Sequence, residues 1–337
     1  MNGLERLQAA LRFESADRLP VVPQIFGHAA VLAGVPLGDY VRSGELVARC
    51  QSDALRHYGH DAVFAFLDAC VETEAMGAVL AYHADQYPSV AGYPLDAGAA
   101  PERLAIPDPQ SAGRMPQVLA ALAGLRAAHG QTAAVVGVVL GPMTLAQQLM
   151  GPEAALYLAA DEPQSFEKLL DRATEVALRF GRAQLEAGAH LMMVFDPAAS
   201  PDVVPAAFFR EFELPRLSAL FGAFKQAGSL ANWLHIAGQI APILGYYPEA
   251  AVDIANFDYC VDPLQARQIL PHLCLDGNIK SLSFVLNSPE EIAAEAHRLV
   301  ELFAGRGGFI LSSGCEVPPE AKPQNVAAMV AAACTST

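Results

Sequence analysis

Residues 165–196, SFEKLLDRATEVALRFGRAQLEAGAHLMMVFD, carry the reading that decides the fold. Over 165–187 the apolar residues recur at three- and four-residue spacing, as on one face of a helix, and 190–196 is a short apolar run of strand length. The same succession recurs on either side. Eight strand-type runs are expected, at 21–26, 62–68, 134–141, 190–196, 230–238, 252–258, 273–279 and 308–314, with further helical stretches at 205–227 and 289–304. Such alternation reads as repeated strand-helix units around a parallel sheet. It fits a closed (β/α)8 TIM barrel better than an open doubly wound sheet, whose dinucleotide-binding glycine pattern is absent. A helix at 4–13 precedes the first strand as an N-terminal extension suited to plugging the barrel base. After the second strand, 71–116 is a long excursion carrying many Gly, Pro and Tyr, expected to lie over the barrel mouth.

At 337 residues the chain exceeds the usual domain size, but barrels of this kind reach it as one unit, so a single domain over 1–337 is expected. The apolar runs are short and broken by Gly, Pro or charge, and none reads as a membrane span. The opening Met-Asn-Gly-Leu-Glu-Arg-Leu lacks the basic-then-apolar profile of a signal peptide, and the chain reads as cytoplasmic. A net charge of -15 without a Lys/Arg cluster argues against nucleic acid or an anionic membrane as partner, because their phosphates would be repelled. Six scattered cysteines with no Cys-x-x-Cys read as reduced thiols.

In a barrel of this type the residues that follow each strand converge on the C-terminal face, where such enzymes work. Here they are Gly27-His28, Asp68, Gly141-Pro142, Asp196-Pro197, His235, Asp258, Asn278 and Cys315. His235 and Cys315 are metal-type side chains, since imidazole nitrogen and thiolate sulfur are favoured zinc ligands. Taken singly, a buried His is more often a hydrogen-bonded core residue and a Cys a small hydrophobe; their joint placement at strand ends points to function. Asp196 and Asp68 are candidates for orienting a ligand or accepting a proton, with capping of the next helix as the plainer use. Asp258 is expected on the substrate-binding side and behind the His235 ring as its hydrogen-bond partner. Glu74, two residues after Glu72, is expected at the mouth, as are His28 and Asn278 on the substrate-binding side. Lys280 reads first as a solvated loop lysine.

Several segments occur in an order that resembles the uroporphyrinogen decarboxylase superfamily: Asp17-Arg18-Leu19-Pro20-Val21, Gly141-Pro142-Met143-Thr144-Leu145-Ala146, Asp196-Pro197-Ala198-Ala199-Ser200, His235-Ile236-Ala237-Gly238, Gly277-Asn278-Ile279 and Gly314-Cys315-Glu316-Val317-Pro318-Pro319. Within it, the chain is most similar to the methylcobamide:coenzyme M methyltransferase branch. The resemblance implies a (β/α)8 barrel in which a His-x-Cys on the fifth strand and a Cys after the eighth hold Zn2+. In that branch the metal binds an acceptor thiol and presents it as thiolate to a methyl group on the cobalt of a corrinoid. For this chain the resemblance implies a methyltransferase with a small-molecule methyl donor or acceptor, and a corrinoid protein or cobalamin as partner.

Position 237 is alanine here, so zinc would have His235 and Cys315 and would need a third ligand from Asp196, Cys70, Glu74, His28, Gln239 or Cys260. Two other readings stand beside the first. One is a metal-free protein binding a small molecule or corrinoid on the same barrel. The other is a porphyrinogen-type decarboxylase, against which Gln24-Ile25-Phe26-Gly27-His28-Ala29 offers no arginine to grip substrate carboxylates. The assembly is left open, with a homodimer admitted.

Overall fold

The computed structural model describes residues 1–96 and 98–334. Among them are nine strands: β1 Ala62–Ala65, β2 Val79–Ala81, β3 Ser89–Gly92, β4 Ala134–Leu140, β5 Leu191–Phe195, β6 Asn232–His235, β7 Ile254–Asn256, β8 Cys274–Ile279 and β9 Phe309–Ser313. Seven form one sheet in the order β1-β4-β5-β6-β7-β8-β9, every neighbouring pair parallel, while β2 and β3 form a separate antiparallel pair in the excursion.

The run expected as a strand at 21–26 is not a regular strand, yet it occupies the eighth position. Val22 N donates to Leu311 O at 2.9 Å, Leu311 N to Pro20 O at 3.0 Å, and Asp61 N to Val21 O at 2.9 Å. The segment thereby bridges β9 and the start of β1 and closes the (β/α)8 barrel. Pro20 and Pro23 have no N–H to give, so a continuous ladder cannot form. What remains is two isolated bridges, Val21 with Leu311 and Ile25 with Val317, and the Gln24 amide donates instead to Ser313 Oγ at 3.2 Å. The other seven expected strands are present but trimmed: 62–68 pairs only over Ala62–Ala65 and 230–238 only over Asn232–His235. In these two the last residues leave the ladder to build the mouth.

The helix expected at 165–187 runs Pro163–Ala187. The one expected at 205–227 is interrupted by a π-helical turn at Phe209–Glu213 before Leu214–Gln226 resumes. Pro215 cannot donate to the carbonyl of residue 211 and its ring crowds that oxygen, which a widened turn relieves. At the other end of the barrel, the helix Gly3–Leu11 is capped by a reciprocal Asn2 and Glu5 pair. Its Leu7 and Ala10 pack with Val22, Phe64, Val136, Met193 and Trp233, the side chains that fill the barrel. Among the described residues no helix is long and apolar enough to cross a membrane.

Asp61 ties these pieces together. It is 1% exposed and accepts from Val21 N at 2.7 Å, Arg18 Nη1 at 2.6 Å and Arg6 Nη1 at 3.0 Å. Asp61→Ala should cost about 3 kcal/mol in urea unfolding, because it removes a buried acceptor shared by the Val21 amide and two guanidinium groups. Asp17→Ala, at the exposed end of the same network, should cost less than about 1 kcal/mol. Equal losses would remove Asp61 from its role as the tie between the first segment and β1.

Candidate active site at the barrel mouth

His235 ends β6 fully buried, and its ring stacks on Phe195 at the end of neighbouring β5, centroids 4.8 Å apart at 22°. Cys315 follows β9 across the mouth, partly exposed, with Sγ 3.5 Å from His235 Nε2. Gly314 makes this approach possible, since a side chain there would collide with Asp258. Burial pushes His235 down to about 3 and pushes the Cys315 thiol up to about 12, with Asp258 and Glu316 adding to the latter. At neutral pH the two therefore meet as neutral imidazole and thiol. With both groups neutral the contact is a single S···N hydrogen bond whose donor is set by the imidazole tautomer. Among the described residues Nδ1 has no partner.

The carboxylates expected at this mouth are mostly engaged in holding it. Asp68 pairs with Arg114 through both guanidinium Nη atoms and accepts from Cys70 N at 2.8 Å. Burial pushes Asp68 up and Arg114 opposes that shift. Glu74 joins the same guanidinium, accepting from Arg114 Nε at 2.6 Å and from the Tyr82 hydroxyl at 2.7 Å. Asp196 caps the helix Pro142–Met150, accepting from Thr144 N at 2.7 Å and Thr144 Oγ1 at 2.6 Å. Beside it lies the buried Glu213 carboxyl, which burial and the Asp196 charge raise well above the usual range.

Asp258 does not back the His235 ring, contrary to the expectation from sequence. Its two oxygens instead accept from Gly238 N at 3.0 Å and Tyr259 N at 2.7 Å, amides of the turns after β6 and β7. Asn278 donates to the carbonyls of Asp258 and Val261 at 3.2 and 3.0 Å, tying the loop after β7 to β8. His28 lies away from the pair. Its Nδ1 faces Pro319 O at 3.1 Å and its Nε2 the Tyr58 hydroxyl at 2.8 Å, so both ring nitrogens are committed within the chain. Lys280 sits with Nζ 4.7 Å from the centre of the Tyr259 ring.

Three groups at the mouth escape the sequence reading. Arg114, from the far end of the excursion, is the cation that neutralises Asp68 and Glu74; no spacing marks it. Tyr87, also in the excursion, donates to partly buried Glu316 next to Cys315, so the excursion is fastened to the mouth. Beside His235, Asn256 donates to Asp276 Oδ2 at 2.7 Å and Gln24 Nε2 reaches the same oxygen at 3.4 Å. Asn256 stands two residues beyond Ile254 as His235 stands two beyond its partner Trp233, so this polar cluster borders the His235 ring inside the barrel. Asp276 is pushed up to about 7 by burial. An acidic residue within a buried strand was the available signal for it.

A closed parallel barrel whose strand ends gather polar side chains around one mouth is the architecture of a barrel enzyme. The chain belongs to the uroporphyrinogen decarboxylase (URO-D) family, whose sequence model matches residues 2–335. It is 29% identical to the methylcobamide:CoM methyltransferase MtaA of Methanosarcina barkeri, over 97% of this chain and 96% of that protein. It is 28% identical to the uroporphyrinogen decarboxylase of Anaeromyxobacter sp. (strain Fw109-5), with 96% of each covered. Among solved structures, a methyltransferase from Methanosarcina mazei superposes with a TM-score of 0.89 at 28% identity, covering 98% of both chains. The named relatives are enzymes of two kinds.

Glu72 gives the mouth a measurable pH signature. It is buried, accepts from Leu140 N at 2.8 Å, and is pushed from 4.5 up to about 7 by burial. A carboxyl whose folded pKa is raised holds its proton more tightly when folded, so its contribution to stability is lost as pH rises from about 4.5 to about 7. Glu72→Gln keeps the acceptor for Leu140 and removes the titration. The variant should gain on the wild type by roughly 3 kcal/mol in urea unfolding between about pH 4.5 and 8. Parallel stability profiles would contradict the shift.

Proposed function

We propose that the chain is a corrinoid-dependent methyltransferase, moving a methyl group between a corrinoid protein or cobalamin and a small donor or acceptor at the His235–Cys315 mouth. The observation that carries the reading is the meeting of these two side chains, from opposite parts of the barrel, at 3.5 Å on the C-terminal face of a chain that aligns end to end with a methylcobamide methyltransferase. A corrinoid would supply the methyl group, transferred as a cation, and keep the electron pair. The chain's own part is to hold the reacting partners in line and away from water. Phe195 and Phe66, with ring centroids 6.0 Å apart, give the mouth an apolar wall, and the Asp68–Arg114–Glu74 and Asp196–Thr144 clusters fix the strand ends around it. The same reading has the protein act in the cytoplasm, with a homodimer as the assembly to examine.

Zinc, which the family resemblance implies, does not fit the donor set. Among the described residues no three His, Cys, Asp or Glu side chains gather to hold a metal, and no step of this reading passes through one. Decarboxylation of a polycarboxylate is less well supported, because Arg114, the buried arginine of the mouth, is spent on Asp68 and Glu74.

Loss of the methyl-cobalt absorption of methylcobalamin is the direct assay, run with thiol and amine acceptors in turn. The wild type should accelerate it, and His235→Ala and Cys315→Ser should each slow it about a hundredfold by loosening the reacting geometry. No acceleration with any acceptor, alongside turnover of uroporphyrinogen, would replace this reading with decarboxylation.

A further inference from the structure

We infer that this mouth has no standing zinc site, and that residue 237 is the position that withholds it. His235 Nε2 and Cys315 Sγ lie 3.5 Å apart. Two ligands on a tetrahedral zinc, at about 2.0 Å for nitrogen and about 2.3 Å for sulfur, are separated by about 3.5 Å. Two corners of such a site are therefore already set. Among the described residues the third has no donor.

The histidine and the carboxylates that could fill it are bound elsewhere. His28 is held through both nitrogens, Glu74 by Arg114 and Tyr82, Asp196 by Thr144, and Asp258 by two backbone amides. The Cys70 thiol donates to Pro88 O at 3.5 Å. Cys260 forms no three-membered group with the pair. Residue 237 differs from all of these. It stands two residues beyond His235, on the same side of an extended chain, and is only partly buried at the rim. It is alanine, with no donor atom.

The consequence for chemistry rests on the methyltransferase reading. With no metal to hold a bound thiol as thiolate, the acceptor must be nucleophilic on its own account, as a free amine or a thiol already ionised is.

The test measures metal, not turnover. Wild-type protein and the Ala237→Cys variant are titrated with Zn2+ against a chromophoric chelator, and with Co2+, whose bands report tetrahedral thiolate ligation. The wild type should yield its zinc to the chelator. Ala237→Cys should retain about one zinc per chain, bound about a hundredfold or more tighter, and adding Cys315→Ser should abolish the gain. Wild-type protein that keeps about one zinc through the chelator overturns the inference. So does an Ala237→Cys variant that is folded by circular dichroism yet binds no better than the wild type. The methyl-cobalt assay is read separately, so failure of the metal inference and failure of the proposed reaction are told apart.

Discussion

Everything at the mouth depends on closing a parallel ladder with a segment that cannot pair fully. Parallel strands covered on both faces have no water to satisfy unpaired backbone groups, so the gap between β9 and β1 has to be filled. The segment bearing Pro20 and Pro23 fills it with isolated bridges rather than a ladder. Asp61 makes up the deficit, taking the Val21 amide and two arginines at once. Only because the ring of strands is complete does Cys315, beyond β9, come to face His235 at the end of β6.

Once the ring is closed, the strand ends carry more acid than the proposed chemistry calls on. Asp68, Glu74, Asp196 and Asp258 each find a guanidinium, a helix start or a loop amide within hydrogen-bond reach. A buried carboxylate without such a partner would be costly, so engagement is the expected outcome. His235 and Cys315 are the exception, bonded chiefly to each other. Their mutual contact, with Nδ1 of the ring unpartnered among the described residues, is what singles them out as the proposed reactive part of the mouth.

The excursion shows how a segment without obvious pattern can still be structural. It contributes Arg114 to the carboxylates after β1 and Tyr87 to Glu316 beside Cys315. Its acid-pairing arginine lies 46 residues from Asp68, a separation that no local spacing rule covers. The first expected strand shows the converse, because its apolar run was legible while its two prolines decided that it would bridge rather than pair.

By itself the sequence determined the alternation of helix and strand, the strand ends at which His235 and Cys315 sit, and the alanine at 237. These are local properties, written in periodicity and residue type. Which carboxylates remain free was decided only by the tertiary structure, because that depends on partners brought from distant segments: Arg114 to Asp68, Thr144 to Asp196, the turn amides to Asp258. Periodicity tells which residues face inward; only the closed barrel fixes what each of them meets there.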